Sequence, residues 1–574
     1  MTFSVVQRRP LFGTLRCLGV TRREVFLLVI SEALVVGVIG SVLGIALGIL
    51  LGQGAVRAVT QTINDLFFVV TVRGVAIPAV SLAKGAAIGI VATVLTAAPP
   101  AWEAASVPPR AALSRSGLES KAVQAVNLTT ILGVIVQITG FLLLLIPTRD
   151  LVISFTATFL VVVGAAMLTP MVMSIMMRLA PVVTSRLFGV LGRMAPRDVV
   201  NSLSRTSIAV AALMVAVSVT IGISLMVSSF RNTVVVWLEQ TLRGDIYVTV
   251  PSGTQTQSTS TVDPEAVGEL QAWPGVQDFQ MIRSVMVDSP DGMVNVAAVS
   301  QSEISGEERL YYSTEIPVAE IDDRLREGAV IVSEPFARAN NLMRGGGEVT
   351  FFTDQGERSF DVVGIYYDYG RVAGTVLMDM DVYQSLWNDH QVTGLALYLE
   401  EGTDPDILAQ TMQDQLAGVQ GLLIQSNESL RQEVLVVFDR TFAITGALQV
   451  LVTIIAFVGV LSALLSLQLE KQRELGILRA IGLTVRQMWG LVMIETGLMG
   501  AVAGLLAMPT GFALSLILIY IINRRSFGWT LQLQFDAWPF VAALLVAVTA
   551  ALLAGIYPAR RISQMTTADA IRFE

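Results

Sequence analysis

Residues 469–488 read LEKQRELGILRAIGLTVRQM, and they decide the fold because the chain carries this pattern twice. Leu478-Arg479-Ala480-Ile481-Gly482-Leu483-Thr484-Val485-Arg486 matches Leu15-Arg16-Cys17-Leu18-Gly19-Val20-Thr21-Arg22-Arg23 at a constant offset of 463. The same offset aligns Gly13 with Gly476, Glu32 with Glu495, Gly37 with Gly500 and Gly48 with Gly511. An offset of 458 then aligns Pro100-Ala101 with Pro558-Ala559 and Ala112-Leu113 with Ala570-Ile571. One module is therefore present in two copies. Leu475, Leu478 and Ile481 share one face of a short amphipathic helix, Arg473, Glu474 and Arg479 occupy the others, and Gly482 permits the turn into the next helix. Such a helix lies flat on a membrane or docks into a groove on a partner, and its duplication favours a two-fold partner.

Each copy leads into a long apolar run. Over 574 residues the chain is 53% hydrophobic and 15% charged, with a mean hydropathy of +0.65. Soluble domains carry roughly 25% charged residues, so most of this chain belongs in a bilayer. Segments long enough to cross about 30 Å of hydrocarbon occur at about 26–51, 81–100, 127–147, 151–177, 205–229, 438–467, 487–522 and 537–557. Pro509 is expected to kink the seventh. The fold expected is a polytopic α-helical membrane protein with about eight spans, two repeats and one extracytoplasmic mixed α/β domain. Its divisions are 1–120, the first module; 121–204, two central spans and a connection; 205–230, a stalk span; 231–437, the α/β domain; and 438–574, the second module.

Charge distribution sets the orientation. Residues 231–437 hold 32 of the 46 acidic and 11 of the 38 basic residues, a local −21 within a total of −8, which leaves +13 elsewhere. Arginines cluster before the first span, after the second and fourth, before the seventh and after the eighth, whereas the opposite connections carry only Arg57, Arg73, Arg149, Arg524 and Arg525. Both termini are thus expected in the cytoplasm of a plasma (inner) membrane protein, with 231–437 outside. In that segment strands are expected at 245–250, 293–300, 329–333, 348–353, 360–367 and 394–399, and a helix at 404–416 capped by Thr403. Residues 251–262, PSGTQTQSTSTV, read as a loop. No proline interrupts 428–481, so the sixth span should extend beyond the bilayer as a lever, paired with a fifth span running past Phe230.

Several chemistries are excluded. A lone Cys17 and a lone His390 cannot build a disulfide framework or a multi-His or Cys-cluster metal centre. The three lysines follow Ala83, Ser120 and Glu470, so no phosphate-loop Gly-Lys-Ser/Thr exists. An acidic domain repels phosphate backbones, so nucleic acid is not an expected partner.

At 469–488, and at the tail YPARRISQMTTADAIRFE (557–574), the chain resembles the FtsX-like permeases, membrane subunits of MacB/LolCDE-type ABC transporters. The resemblance implies a permease without catalytic residues or cofactor of its own, ATP and magnesium being held by a separate cytoplasmic ATPase dimer. It also implies a lipid setting and an amphiphilic cargo: a lipid, lipoprotein or peptide. The role of coupling helix falls on Gly13, Leu15, Arg16, Leu18 and Gly19, and on Glu474, Gly476, Leu478, Arg479, Ile481 and Gly482. The first copy has Pro10-Leu11 where the second has Arg473-Glu474. Met1–Val6 resembles the end of a further helix, so a second permease chain or an additional N-terminal segment is expected to complete the first half. The alternative function is a transducer that regulates an extracytoplasmic enzyme or senses a compound.

Glu32 and Glu495 lie at matched depth in their spans, as an interfacial hydrogen bond or a proton or substrate site. Gly40, Gly44 and Gly48 recur every fourth residue, a ridge for close helix packing, with Gly497, Gly500 and Gly504 as a looser counterpart. Asp439 and Arg440 mark a membrane boundary. Tyr366, Tyr367 and Tyr369 around Asp368 form a contact surface or ordinary packing, and His390 is given no chemistry.

Overall fold

The computed structural model describes residues 9–66, 78–106, 118–251, 260–300, 311–342 and 346–564. Met1–Val6, Arg73, Arg110, Ala112-Leu113, residues 252–259, Gly345 and Ala570-Ile571 lie outside them, as do the side chains of Gly13, Arg473, Glu474, Leu475 and Gly476. Among the described residues, 8 helices are long and apolar enough to cross a membrane.

A short helix α1 (Arg9–Cys17) leads into α2 (Arg22–Leu66), α3 (Ala79–Ser106), α4 (Leu118–Leu145), α5 (Leu151–Leu179), the connecting α6 (Pro181–Asn201) and α7 (Leu203–Thr241). After a sheet domain the chain returns through α13 (Asn427–Ala480), α14 (Val485–Ile517), a π-helical turn (Leu518–Asn523), α15 (Arg524–Phe527) and α16 (Trp538–Gln564). Helix α13 is one unbroken element of 54 residues, about 80 Å at 1.5 Å per residue. Ser426 starts it by accepting from the Ser429 backbone N–H. Helix α14 runs through Pro509 without ending there.

Above the bundle α7 and α13 rise as a pair. Phe230, Phe438 and Phe442 interlock between them, with centroids 4.5–5.8 Å apart. Arg231 reaches Asp439 at 2.9 Å, so Asp439 is a stalk contact. Both side chains are about half exposed, which keeps this pair to at most ~1 kcal/mol.

The bundle core is built mainly from α5, α7, α14 and α16, around Met173, Leu213, Ile221, Met499, Ala503 and Ala551. The glycine ridges behave in the reverse of the sequence expectation. A Cβ on Gly500 would lie 2.7 Å from the Ala551 Cβ, and one on Gly504 2.7 Å from a Leu544 methyl; these are the close contacts. Gly40, Gly44 and Gly48 have nothing within 4 Å and line an open groove of about 560 Å³ between α2 and α3. A small-residue ridge lets backbones approach only where the facing helix is small too. Helix α16 offers Ala543, Ala547 and Ala551, whereas along this ridge the close approaches of α3 to α2 are at Gly37–Thr93 and Ser41–Gly89, and the helices diverge beyond them.

The sheet domain holds β1 (Ile246–Thr249), α8 (Pro264–Gln271), β2 (Val276–Ser289), β3 (Gly292–Val299), β4 (Tyr311–Thr314), α9 (Ile321–Arg326), β5 (Val330–Ser333), α10 (Glu334–Ala339), β6 (Glu348–Thr353), β7 (Gly356–Tyr366), β8 (Val376–Asp379), α11 (Met380–Trp387), β9 (Gly394–Leu399), α12 (Pro405–Leu416) and β10 (Leu423–Ser426). Its strands form one 10-stranded mixed sheet, ordered β10-β1-β9-β2-β3-β8-β5-β7-β4, with β6 pairing β7. Strand β2 was absent from the sequence expectations because its polar residues interrupt the alternation. Arg283 is buried against Asp389 at 2.7 Å, and Ser284 bonds Asn295 across β3. Helix α12 is capped by Asp404, not Thr403: the Asp404 carboxylate accepts from the Asp406 and Ile407 N–H groups.

Burial pushes the Asp389 carboxyl up, but the Gln391 backbone N–H, the Tyr383 hydroxyl and the Arg283 guanidinium outweigh it and hold the group below its ordinary value. A depressed carboxylate stabilises the fold fully above its unfolded pKa of about 3.9, and this is lost as pH falls through the lower folded value. Asp389→Asn should therefore flatten the acid limb of the sheet-domain unfolding curve, read by tryptophan fluorescence. An unaltered acid limb would mean the contact contributes nothing.

Candidate functional site

At the end of the bundle away from the sheet domain, the two sequence copies fold into matching helix corners. In the first, Val20 N–H bonds the Leu15 carbonyl at 3.1 Å and Gly19 N–H the Arg16 carbonyl at 3.3 Å. In the second, Leu483 bonds Leu478 at 3.0 Å and Gly482 bonds Arg479 at 3.1 Å, the same register shifted by the repeat. Gly19 and Gly482 take φ +102° and +111°, a left-handed conformation that glycine adopts without a Cβ clash.

Each corner then restarts with a capping box. Thr21 N–H donates to Glu24 Oε2 at 2.7 Å while Glu24 N–H donates to Thr21 Oγ1 at 3.3 Å; Thr484 and Gln487 do the same at 2.9 and 3.3 Å. This reciprocal cap was missed in the sequence, although T-x-x-E and T-x-x-Q stand at equivalent positions.

The corners divide their side chains sharply. Leu15 packs inward on a cluster of Phe12, Val25, Val29 and Ala101, and Leu478 on Met488, Val492 and Ala559. Ala101 and Ala559 are the equivalent Pro-Ala positions of the repeat, so both ends of each module meet in space. Leu18 and Ile481 are instead 77% and 78% exposed. Leu478 is half-buried while Ile481, the C-cap residue before the Gly482 turn, projects beyond the cluster. Arg16 Nε is buried with no hydrogen-bond partner among the described residues. Glu495 is buried in its span and Glu32 half-buried, and neither is without a partner.

At the opposite end the sheet domain is clamped to the bundle. Glu334, the first residue of α10, is wholly buried and pairs with Arg338 one turn on. Its Oε2 accepts from Thr530 N–H at 2.8 Å and its Oε1 from Thr530 Oγ1–H at 2.6 Å. Tyr369 donates to the Thr530 carbonyl at 2.7 Å, and Arg149 to the Arg338 carbonyl at 3.2 Å. Arg525 donates to the Leu144 and Ile146 carbonyls, both at 2.7 Å, at the end of α4. The connections after α4 and after α14 thus lie at the sheet-domain end, and Arg149 and Arg525 are spent on carbonyls that terminate helices.

Tyr366 belongs to the sheet-domain core, Tyr367 stacks on Tyr369, and Tyr369 packs against Trp237 and Trp529. This tyrosine group joins domain to bundle and is not a free surface. Burial pushes the Tyr369 hydroxyl well up, so it remains a donor. His390 is exposed.

Residues 1–109 and 446–567 match the model of the FtsX-like permease C-terminal family, and residues 206–415 match the MacB-like periplasmic core domain. An uncharacterized ABC transporter permease protein of Mycobacterium tuberculosis is 46% identical over 578 residues, covering 100% of this chain and 67% of that protein. The macrolide export ATP-binding/permease protein MacB of Rhodopirellula baltica is 28% identical over 117 residues, 20% of this chain and 16% of that protein. The periplasmic region of MacB from Actinobacillus actinomycetemcomitans aligns at a TM-score of 0.26 with 9% identity, over 34% of this chain and 95% of that one.

Proposed function

This chain belongs to the FtsX-like permease family of ABC transporters, and from that premise we propose that its two helix corners seat a cytoplasmic ABC ATPase dimer that drives export or extraction of an amphiphilic cargo. The supporting observation is the pair of corners. Each has the same turn and the same capping box, and each holds out one aliphatic side chain, Leu18 or Ile481, that is exposed among the described residues. Arg16 and Arg479, both half-buried, stand beside them. ATP and magnesium belong on the partner in this reading; Glu474 and Gly476 complete the second corner and Gly13 the first.

In this reading both corners face the cytoplasm of the plasma membrane and the sheet domain lies outside. Closure of the ATPase would move the corners. Helices α7 and α13 would carry the motion along their length, and the Glu334–Thr530 clamp would tie it to the second module.

Ile481→Asp and Leu18→Asp test the corners, because each replaces a buried-on-docking aliphatic group by a charge. Fully burying such a side chain is worth about 1.5–3 kcal/mol, so each variant should weaken ATPase capture on co-purification by roughly tenfold or more and lower ATP turnover with it. Unaltered capture and turnover in the double variant would overturn the coupling assignment.

A further inference from the structure

The sheet domain carries a second feature that the coupling machinery does not use. Both faces of β2 and β3, with α10 and the 370–374 loop, line an open trough of about 1410 Å³: Ser284, Met286, Met293 and Asn295 come from one face, Ser289 and Val294 from the other. Its walls hold Met286, Val294 and Phe336, and they leave Met293 61% and Val372 60% exposed.

Its floor is polar and connected. Arg371 donates to Ser284 Oγ at 3.4 Å, Ser284 to Asn295 Oδ1 at 3.1 Å and Asn295 Nδ2 to Thr375 Oγ1 at 3.3 Å. Thr375 N–H then donates to Ser333 Oγ at 2.7 Å, and Ser333 immediately precedes Glu334 of the clamp. Asn295 and Thr375 are each only 7% exposed, so the floor is built into the domain and not a surface accident. The Arg371 guanidinium is half-buried and has no carboxylate partner among the described residues.

Two carboxylates, Asp291 and Glu348, also line the trough, and neither pairs with Arg371. Asp291 lies on the hairpin tip beyond Ser289, and Ser289 is about 17 Å along β2 from Ser284 at roughly 3.4 Å per residue. Along β2 the trough therefore has a cation beside Ser284 and a carboxylate, Asp291, beyond the strand's far end, with Met286 between them.

We propose that this trough binds an amphiphile with one anionic head, a carboxylate or phosphate held by Arg371, whose hydrocarbon chain lies over Met286 and Met293, on the face that carries Ser284, and Val372. The choice of ligand rests on the export reading and narrows its cargo class. The trough also adjoins the bundle: α10 forms its edge, and Gly528 lies beneath Pro335 of α10, where a Cβ would meet the Pro335 Cα at 3.8 Å. Through Ser333, occupancy would be felt at the clamp.

The full chain in nanodiscs of neutral phosphatidylcholine tests this with three probes: palmitic acid bearing a chain diazirine, the matching neutral alcohol, and inorganic phosphate as competitor. Saturable labelling of residues 282–296 and 370–376 by the acid is expected. Labelling by the alcohol should be weaker, and Arg371→Ala should lower acid labelling about tenfold while Arg371→Lys retains most of it. Competition by phosphate alone would make the site one for a free anion and overturn the amphiphile assignment. Equal labelling by acid and alcohol, or labelling no greater than on other exposed surfaces, would overturn the proposal too. The same preparations report ATPase capture: lost labelling with capture intact sinks the trough alone, and the reverse sinks the permease coupling and leaves the trough standing.

Discussion

Replacing Arg338 by alanine is expected to lower the unfolding midpoint of the sheet domain by roughly 6–20 °C, because it leaves the Glu334 carboxylate buried without its cation. Removing one partner of a buried ion pair costs about 3–5 kcal/mol, and a domain of this size loses about 2–4 °C per kcal/mol. Glu334 is 0% exposed and the Arg338 side chain 13%, so solvent cannot take over the lost contact. Glu334 also holds both donors of Thr530, which makes the pair a junction between domain and bundle as well as a stabilising contact.

The double variant Glu334→Gln/Arg338→Met should recover much of the loss, since it removes both charges together. Thr530→Val should cost only about 1 kcal/mol in folding, yet weaken the hold on the bundle. Differential scanning fluorimetry of the full chain in nanodiscs measures all three. A shift under 2 °C for Arg338→Ala would show that the pair is not structural. If it unfolds early but ATP turnover in the ATPase complex keeps its response to cargo, the clamp is no part of the transmission.

A leucine at Gly500 is the second change with a large expected effect. Its Cβ alone would stand 2.7 Å from the Ala551 Cβ and 2.8 Å from the Ala547 carbonyl, and both belong to a helix that cannot yield locally. Overpacking ordinarily costs 1–3 kcal/mol; here the contact is with backbone, so the cost should be at least ~3 kcal/mol. Gly511→Leu meets the same obstacle at Ile221 and the Ser218 carbonyl. Gly44→Leu should be neutral or slightly stabilising, because its Cβ meets nothing within 4 Å and leucine favours the helix by about 1 kcal/mol over glycine. Monodispersity on size exclusion after a heat step reads the three variants side by side. Equal tolerance of Gly500→Leu and Gly44→Leu would refute the packing described for α14 and α16.

These glycines show where sequence stopped being legible. The fourfold spacing of Gly40, Gly44 and Gly48 is more regular than that of Gly497, Gly500 and Gly504, yet the less regular set makes the close contacts. Spacing places glycines on one face of a helix; what stands opposite comes from another part of the chain. Strand β2 was illegible for a related reason. Arg283 and Ser284 look like loop residues until Asp389, distant in sequence, and Asn295, across the hairpin, are brought beside them. The clamp was out of reach altogether, since Glu334, Tyr369 and Thr530 carry no motif and meet only through folding.

What the sequence determined by itself was whatever short-range chemistry or bulk composition controls. Hydrophobic length defined the helices long enough to span, because a bilayer of fixed thickness demands it. The offsets of 463 and 458 revealed a duplicated corner, and the absence of proline through 428–481 foretold the long stalk helix. Tertiary structure alone decided which corner residues face outward, which glycine ridge is covered, and that Arg371, with no carboxylate partner among the described residues, stands at a trough with a polar floor. Each of those depends on side chains tens of residues apart, far beyond one helical or strand repeat, and local periodicity holds no record of them.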